Sequence, residues 1–278
     1  MKRIGVDVGG TTVKGALFDG EEMIAEHSAQ TNGRDGREAI LKALYEVLDT
    51  LKSGGGNFIG ISSAGNFDPS TGVCLYATDN LRGWTGLHLA EEVSARYGVE
   101  CKAENDAICA LKGELRFYPD LTDVTMLTFG TGVGGASLVN GEIVRGRNFD
   151  AGRWGHVSLY PNGRGCSCGR RGCAEAYLSA TAILAHIRRK LPVKNGEELF
   201  ELYKNGVREA IGTVMAFASD LNLFLSMIRT ALSPQLILLG GGLMNAQDVV
   251  SGLIHERSDI AFARLGNRAG IYGAAFAL

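Results

Sequence analysis

One histidine and three cysteines stand close together in the second half of the chain. The segment GHVSLYPNGRGCSCGRRGC, here named the metal segment, contains His156, Cys166, Cys168 and Cys173. Three thiolates and one imidazole suit a tetrahedral Zn²⁺ ion, and four protein ligands leave no coordination position open for water. The glycines of this segment allow a short loop to wrap around the ion. The pattern predicts a structural zinc site, and the alternative is a chance cluster of free cysteines.

A glycine-threonine turn near the start of the chain has the composition of a phosphate-binding loop. Backbone N–H groups that glycines leave accessible, together with threonine hydroxyls, donate hydrogen bonds to phosphate oxygens. A carboxylate at the end of the preceding strand can hold Mg²⁺ through water, because this cation keeps most of its hydration shell. The residues predicted to contact a phosphate group or its Mg²⁺ are Asp7, Gly9, Gly10, Thr11, Thr12 and Lys14.

The same pattern recurs in the second half of the chain. The segment IGVDVGGTTVKGALFDGEE predicts three strands joined by the glycine-threonine turn and by Asp19-Gly20, and MLTFGTGVGGASLVNGE predicts the same with Asn140-Gly141 as its second turn. Aligned without gaps, Asp7 falls on Thr128. This internal repeat predicts two lobes that each open with one β-meander, and two unrelated hairpins are the alternative. The second predicted phosphate-binding turn consists of Gly130, Thr131 and Gly132.

Apolar periodicity predicts the elements that position these turns. Buried strands are expected over 58–62 and 236–239, and a short strand over 99–103. Helices are expected over 37–52, 87–97, 107–117, 175–190 and 207–232. The closing segment AGIYGAAFAL is small and apolar, which favours a packed helix. The chain is therefore expected to have an α/β fold.

Composition narrows the class of protein. The chain has 278 residues, 45% of them hydrophobic, and a formal net charge of −2, which favours two lobes and gives no general affinity for nucleic acid or acidic lipid. The apolar stretch from Ile4 to Val8 is too brief for a signal peptide or a membrane span. Three of the six cysteines crowd into the metal segment, which favours a reducing compartment over a disulfide framework. A cytoplasmic protein without nucleic-acid or membrane partners is expected.

Several segments occur in an order that makes a family resemblance specific. They are DVGGTTVKGALFD, ENDA, TFGTGVGGA, the metal segment, LILLGGG and the closing ARLGNRAGIYGAA. Over nearly the whole chain they resemble the ROK family of repressors, open reading frames and sugar kinases. The resemblance implies a two-lobed actin/hexokinase-like ATPase fold with a first lobe over 1–106, to which a helix over 266–278 returns, and a second lobe over 107–265. It also implies a homodimer that uses ATP to phosphorylate a hydroxyl of a hexose or N-acetylhexosamine.

The resemblance assigns roles to residues outside the two turns. Asp106, in the sequence Glu-Asn-Asp-Ala, matches the family's catalytic base, which orients a sugar hydroxyl and accepts its proton. Taken alone, an Asn-Asp pair before a helix is more often an N-cap. His156 is implied to bind metal with one ring nitrogen and sugar with the other. The other implied sugar contacts are Gly65, Asn80, Asn105 and Glu175, and the implied adenosine contacts are Gly240, Gly241 and Gly242. Without the resemblance, Gly65 and Asn80 are ordinary turn residues, and Glu175 is an acid at a helix N-terminus. The three glycines over 240–242 then indicate only that some group approaches the backbone closely there.

One position departs from the family's pattern. ROK sugar kinases usually have Glu-x-Gly-His, whereas this chain has Arg153-Trp154-Gly155-His156. A guanidinium cannot accept a hydrogen bond from a sugar hydroxyl, and its fork suits a carboxylate or phosphate. Arg153 either pairs with Glu175 and rebuilds the pocket floor, or binds an anionic sugar, or marks a pocket that has lost sugar binding. The alternative function is therefore a sugar-sensing or sugar-binding protein without kinase activity.

Two further features have a default interpretation. ROK repressors carry an N-terminal helix-turn-helix, and DNA binding is not expected here because the first strand begins almost at residue 1. The arginines around the metal segment are expected to form a solvated rim, with contact to an anionic ligand or a partner as the alternative. These are Arg145, Arg147, Arg164, Arg170 and Arg171.

Overall fold

The computed structural model describes residues 1–278 and divides the chain into two compact units. Unit 1 comprises Met1–Pro119, Arg145–Asp150 and Arg268–Leu278, and unit 2 comprises Asp120–Val144 and Ala151–Asn267. Unit 1 therefore contains the helical stretch over 107–117, which the sequence analysis gave to the second lobe. The lobe bounds themselves stay a prediction.

Unit 1 is built on one five-stranded sheet and one small hairpin. Its strands are β1 (Lys2–Val8), β2 (Thr12–Asp19), β3 (Glu22–Gln30), β4 (Phe58–Ser63), β5 (Asn66–Phe67), β6 (Cys74–Tyr76) and β7 (Glu100–Asn105). The sheet has the order β3-β2-β1-β4-β7, and β5 pairs with β6. Strand β2 is antiparallel to both β1 and β3, whereas β4 is parallel to both β1 and β7.

Three helices follow these strands in unit 1. They are α1 (Arg37–Lys52), α2 (Leu89–Tyr97) and α3 (Asp106–Glu114). The helix predicted over 37–52 is confirmed, and its apolar positions, Ile40, Ala43, Leu44, Val47, Leu48 and Leu51, are all buried. The helix predicted over 107–117 ends at Glu114 and continues as a 3₁₀ turn over Leu115–Phe117. The burial of one face of α1 explains why its periodicity was readable from the sequence.

Unit 2 repeats the sheet topology of unit 1. Its strands are β8 (Val124–Phe129), β9 (Val133–Val139), β10 (Glu142–Ile143), β11 (Leu236–Gly240) and β12 (Ile260–Phe262). The order β10-β9-β8-β11-β12 again joins an antiparallel meander to two parallel strands. The hairpin turn at Asn140 and Gly141 has φ of 50° and 79°, and positive φ at both central residues is what a type I′ turn requires. The predicted duplication of the β-meander is confirmed.

The helices of unit 2 only partly follow the sequence prediction. They are α4 (Glu175–Leu178), α5 (Ala180–Ile187), α6 (Gly196–Lys204), α7 (Arg208–Leu232) and α8 (Gln247–Leu253). The single helix predicted over 175–190 was wrong, because Ser179 has extended backbone with ψ of 152° and its side chain accepts a hydrogen bond from the Ala182 N–H, which caps α5. The helices α6 and α8 were not predicted.

Helix α7 is long and apolar enough to cross a membrane by length and composition alone. Within unit 2 its apolar side chains form part of the hydrophobic core, including Val214, Phe217, Leu221, Phe224 and Ile228. These positions follow helical spacing along one side of α7, as in a core helix of a globular protein.

The last helix, α9 (Ala269–Phe276), packs in unit 1 against β1, β4 and α3. A Cβ atom added at Gly60 would overlap the Ala274 backbone, and one added at Gly273 would overlap the Cys109 backbone. Gly60 therefore lets β4 approach the backbone of α9, and Gly273 lets α9 approach the backbone of α3, to distances that any side chain would prevent. The closing apolar segment is a packed helix, as predicted.

We expect Gly273→Ala to destabilise the protein, because an overpacked core position typically costs about 1–3 kcal/mol. The matched control is Gly212→Ala in α7, where an added Cβ meets no atom within 4 Å and the higher helix propensity of alanine should stabilise by up to about 1 kcal/mol. Urea unfolding of both variants measures the difference. A Gly273→Ala midpoint equal to that of the wild type would contradict the proposed packing.

Candidate active site

The turn between β1 and β2 lies against the loop that carries Asn80. The Gly9 N–H donates to the Thr12 carbonyl at 3.0 Å, and the Gly33 N–H donates to the Gly10 carbonyl at 2.7 Å. A Cβ added at Gly10 would lie 3.0 Å from the Asn80 carbonyl oxygen. The Thr11 side chain is exposed at the tip of the turn. Unit 1 therefore brings Asn80, predicted to face sugar, next to the predicted phosphate turn.

Asp7 is held at the end of β1 by a serine that the sequence analysis did not single out. The Ser62 hydroxyl donates to Asp7 Oδ1 at 2.6 Å. Burial raises the pKa of the Asp7 carboxyl to about 6, the Ser62 hydrogen bond and Lys14 oppose this shift, and the charge of Asp106 adds to it. A cation near Asp7 would compensate both carboxylates, which is the electrostatic requirement of a Mg²⁺ site.

Asn105 and Asp106 mark the junction of β7 and α3. Asn105 Oδ1 accepts hydrogen bonds from the N–H groups of Ala107 and Ile108 at 3.0 and 3.1 Å, so Asn105 is the N-cap of α3. Its Nδ2 donates to Asp106 Oδ1 at 3.0 Å and to the Gly65 carbonyl at 2.8 Å. The structure thus brings together Gly65, Asn105 and Asp106, three predicted site residues of unit 1. The side-chain amide of Asn105 binds both of the others.

Asp106 is exposed as a residue, so a substrate can reach it, although protein groups surround its carboxylate. Desolvation by the surrounding protein raises its pKa above the usual value, while hydrogen bonds from the Ala107 N–H and the Asn105 side chain lower it. The raised pKa makes this carboxylate a better proton acceptor than a fully hydrated aspartate.

Three parallel strands deliver these groups to one edge of the unit 1 sheet. Val8 pairs in register with Ser63, and Ser63 pairs with Asn105, at the carboxyl ends of β1, β4 and β7. The next residues along the chain are the Gly9 turn, the Gly65 loop and Asp106. Carboxyl ends of parallel strands are the usual place for ligand sites in α/β sheets.

In unit 2, Glu175 connects the second glycine turn with the metal segment. Its Oε2 accepts a hydrogen bond from the Val133 N–H at 3.1 Å, directly after the turn over 130–132. Its Oε1 accepts from the Ser167 hydroxyl at 2.6 Å and from the Cys166 thiol at 3.6 Å. A Cβ added at Gly132 would lie 2.5 Å from Glu175 Oε2. Glu175 therefore begins α4 and also binds both the turn over 130–132 and the metal segment. An acidic residue that only stabilised the helix N-terminus would not make these contacts.

The predicted metal ligands lie together. One ligand atom from each of His156, Cys166, Cys168 and Cys173 lies within 4.8 Å of all the others. Cys166 Sγ is 3.7 Å from His156 Nδ1, and Cys168 Sγ is 3.7 Å from Cys173 Sγ. Tetrahedral Zn²⁺ with Zn–S bonds of about 2.3 Å would place its sulfur ligands about 3.8 Å apart. These four residues therefore fit a zinc ion in donor type, number and spacing.

Two glycines let the chain wrap around this cluster. Gly169 and Gly172 have φ of 84° and 80°, a region that residues with side chains rarely adopt. The Cys166 N–H donates to the Arg170 carbonyl at 2.9 Å, which closes the loop between the ligands. The predicted role of glycine in this segment has a direct conformational basis at both positions.

Arg153 lies in the same neighbourhood as His156. It begins the turn that carries the histidine, and the His156 N–H donates to its carbonyl at 2.9 Å. Burial lowers the pKa of His156, Glu175 opposes this shift, and the positive charge of Arg153 reinforces it. The charges of Glu175 and Arg153 therefore both act on His156.

The glycines after β11 are explained largely by packing. Gly241 has φ of 88°, and a Cβ there would lie 2.5 Å from the Phe129 carbonyl oxygen at the end of β8. A Cβ at Gly240 would lie 3.1 Å from the Ala263 side chain, whereas one at Gly242 meets no atom within 4 Å. Gly242 is the member of this triplet whose surface is open to a ligand.

The prediction that the arginines around the metal segment are solvated is confirmed for four of them and was wrong for Arg145. Arg147, Arg164, Arg170 and Arg171 are exposed. Arg145 pairs instead with the buried carboxylate of Glu104 at 2.6 Å, in unit 1. Nothing local in the sequence marks that partner, because the two residues are far apart along the chain.

Comparisons with known proteins agree with this geometry. The family model of the ROK family matches residues 3–277. A glucokinase from Thermotoga maritima is 29% identical over 284 residues, covering 92% of this chain and 87% of the relative. An N-acetyl-D-glucosamine kinase from Yersinia enterocolitica is 30% identical over 305 residues, covering 98% and 97%. The crystal structure of a ROK family glucokinase from Streptomyces griseus in complex with glucose and AMPPNP matches with a TM-score of 0.85 at 26% identity, covering 99% and 98%.

The chain belongs to the ROK family. The match over nearly the whole sequence confirms the resemblance drawn from its motifs. The structural match and the duplicated sheet confirm the actin/hexokinase-like fold.

Proposed function

We propose that this ROK protein is an ATP-dependent sugar kinase, which transfers the terminal phosphoryl group of ATP to a hydroxyl of a hexose or N-acetylhexosamine. The observation that carries the proposal is the shared edge of the unit 1 sheet, where the glycine-threonine turn, the Gly65 loop and Asp106 follow three strands in register. The names of the similar proteins, glucokinase and N-acetyl-D-glucosamine kinase, support this substrate class.

Phosphoryl transfer needs mainly positioning and charge stabilisation, because its transition state is loose. Asp106 orients the sugar hydroxyl and accepts its proton, and Asn105 keeps the carboxylate in place through the 3.0 Å bond to Oδ1. The phosphate oxygens accept hydrogen bonds from the turn over Gly9–Thr12, and Lys14 adds positive charge. Asp7 would hold Mg²⁺ through water, and that ion would neutralise charge on the nucleotide phosphates.

Residues of unit 2 have proposed roles of their own. The second turn over Gly130, Thr131 and Gly132 binds nucleotide phosphates, and the backbone after β11, open at Gly242, contacts adenosine. Sugar contacts are assigned to Gly65, Asn80 and Asn105 in unit 1, and to Arg153, His156 and Glu175 in unit 2. Since Nδ1 of His156 faces Cys166, this nitrogen is the proposed metal ligand and Nε2 is the nitrogen left for a sugar hydroxyl. Zn²⁺ held by this histidine and the three cysteines would shape the loop that ends at Glu175. A cytoplasmic homodimer is part of the same proposal.

The second candidate is a sugar-binding protein without turnover. It is favoured by Arg153, whose positive charge acts on His156 and which occupies the position where the family usually has a glutamate that accepts hydrogen bonds from sugar hydroxyls. Calorimetric sugar binding without ADP release would support this function over the kinase.

A coupled ADP-release assay over neutral, N-acetylated and anionic sugars tests the kinase directly. We expect turnover with at least one neutral or N-acetylated sugar, and a loss of about 100-fold or more in Asp106→Asn, because the amide cannot accept the proton. Circular dichroism checks that the variant is folded. A folded Asp106→Asn protein with undiminished turnover would remove Asp106 from the mechanism.

Metal analysis tests the zinc site. Protein purified without added zinc should contain about one ion per chain, because all four ligands of a structural site come from the protein. Cys168→Ser should lose the ion and lower the melting temperature, whereas Cys101→Ser, which changes a cysteine outside the cluster, should keep it. Wild-type protein that contains no zinc would contradict the proposed site.

The pH dependence of kcat/KM tests the environment of Asp106. Only the ionised carboxylate accepts a proton, so activity should fall as the pH is lowered through its pKa, which lies above the usual aspartate value. Asn105→Ala removes a hydrogen bond that lowers this pKa, so the acidic limb should move to higher pH. Asn195→Ala, which removes the N-cap of α6 in unit 2, should cost similar stability and leave the limb in place. An acidic limb that does not move in Asn105→Ala would show that this bond does not tune the base.

A further inference from the structure

A buried ion pair lies directly behind the Asn105-Asp106 dipeptide. Glu104 is the residue before Asn105 and has a relative exposure of 1%. Its Oε2 is 2.6 Å from a guanidinium nitrogen of Arg145, whose side chain is 21% exposed. Its Oε1 accepts a hydrogen bond from the Asn105 N–H at 2.9 Å. Both oxygens of this buried carboxylate are therefore used, one by the arginine and one by the backbone of the dipeptide.

A continuous series of contacts connects Arg145 with Asp106, the proposed base. Arg145 fixes Glu104, Glu104 fixes the main chain at Asn105, and the Asn105 side chain binds Asp106 Oδ1 at 3.0 Å. A buried carboxylate that loses its partner is strongly unfavourable. Such a carboxylate would move toward water, and this movement would alter its bond to the Asn105 N–H.

Arg145 comes from a distant part of the sequence. The segment Arg145–Asp150 belongs to unit 1, although β10 before it and Ala151 after it belong to unit 2. The segment therefore contributes Arg145 to an ion pair inside unit 1. Arg147, from the same segment, is exposed and serves as a matched control for substitution.

We propose that Arg145 is a positioning residue for the phosphoryl transfer: through Glu104 it fixes the backbone at Asn105 and so the direction in which Asp106 meets the sugar hydroxyl. This inference rests on the proposed kinase function, but the positioning itself is a property of the structure that can be measured without turnover. Arg145 acts through Glu104 and is not assigned any contact with the substrate.

The experiment compares full-length wild type with Arg145→Met, Arg145→Lys, Glu104→Gln, the double variant Arg145→Met/Glu104→Gln, and Arg147→Met. Hydrogen exchange read by mass spectrometry on peptides covering residues 104–108 reports whether the dipeptide and the first turn of α3 are held. Steady-state kinetics with ATP and the best sugar of the panel report kcat and KM separately. Arg147→Met is the control for loss of an arginine from the same segment.

We expect faster exchange over 104–108 in Arg145→Met than in Arg147→Met. The kcat of Arg145→Met should fall roughly 10- to 100-fold, as for a misplaced catalytic group, while the KM for sugar changes little. Arg145→Lys should recover part of kcat, because an ammonium keeps the charge without the guanidinium fork. The double variant should lose no more kcat than the worse single variant, since both residues act through one contact.

Two results would overturn the inference. One is exchange and kcat in Arg145→Met equal to those of Arg147→Met, and the other is additive losses in the double variant. If Arg145→Met fails to fold, Arg145→Lys decides the same question. The double variant decides it as well, because there the side chain that Arg145 pairs with is also neutral. A wild type that phosphorylates no sugar would refute the kinase, while the exchange measurement would still decide whether Arg145 holds Asn105.

Discussion

The register of three parallel strands is the constraint on which the proposed site of unit 1 depends. Because Val8, Ser63 and Asn105 are aligned across β1, β4 and β7, the loops that follow these strands must begin side by side. The Gly9 turn, the Gly65 loop and Asp106 therefore lie together at the carboxyl ends of these strands. A shift of one residue in any of these pairings would turn every side chain of that strand to the opposite face of the sheet.

Asn105 shows that a structural role and a functional role need not compete. The common interpretation of Asn-Asp before a helix is an N-cap, and Asn105 does cap α3 through Oδ1. Its Nδ2 is thereby left to bind the Gly65 carbonyl and Asp106. The cap fixes the rotamer of the asparagine, and the fixed rotamer orients the carboxylate. Stability of the helix start and orientation of the proposed base therefore arise from one side chain.

Features carried by local residue types were predictable from the sequence, and features set by long-range packing were not. The repeated glycine turns and the Asn140-Gly141 hairpin depend on backbone conformations that few residues allow, so both meanders could be found. The four clustered histidine and cysteine residues, which fit a metal ion, were recognisable from residue type and spacing. The partner of Arg145 was not, because nothing local in the chain identifies Glu104. Gly241 was assigned to adenosine, yet its contact with the Phe129 backbone depends on the pairing of β8 with β11, which periodicity does not reveal.

The central claim is that a single carboxylate at the start of α3 accepts the proton of the sugar hydroxyl. Chemical rescue tests it most directly, because the small side chain of Asp106→Ala leaves space where formate can supply the missing carboxylate. We expect the variant to be nearly inactive alone and its turnover to rise with formate concentration, while wild-type turnover does not rise. Wild-type turnover by Asp106→Ala in the absence of formate would contradict this claim.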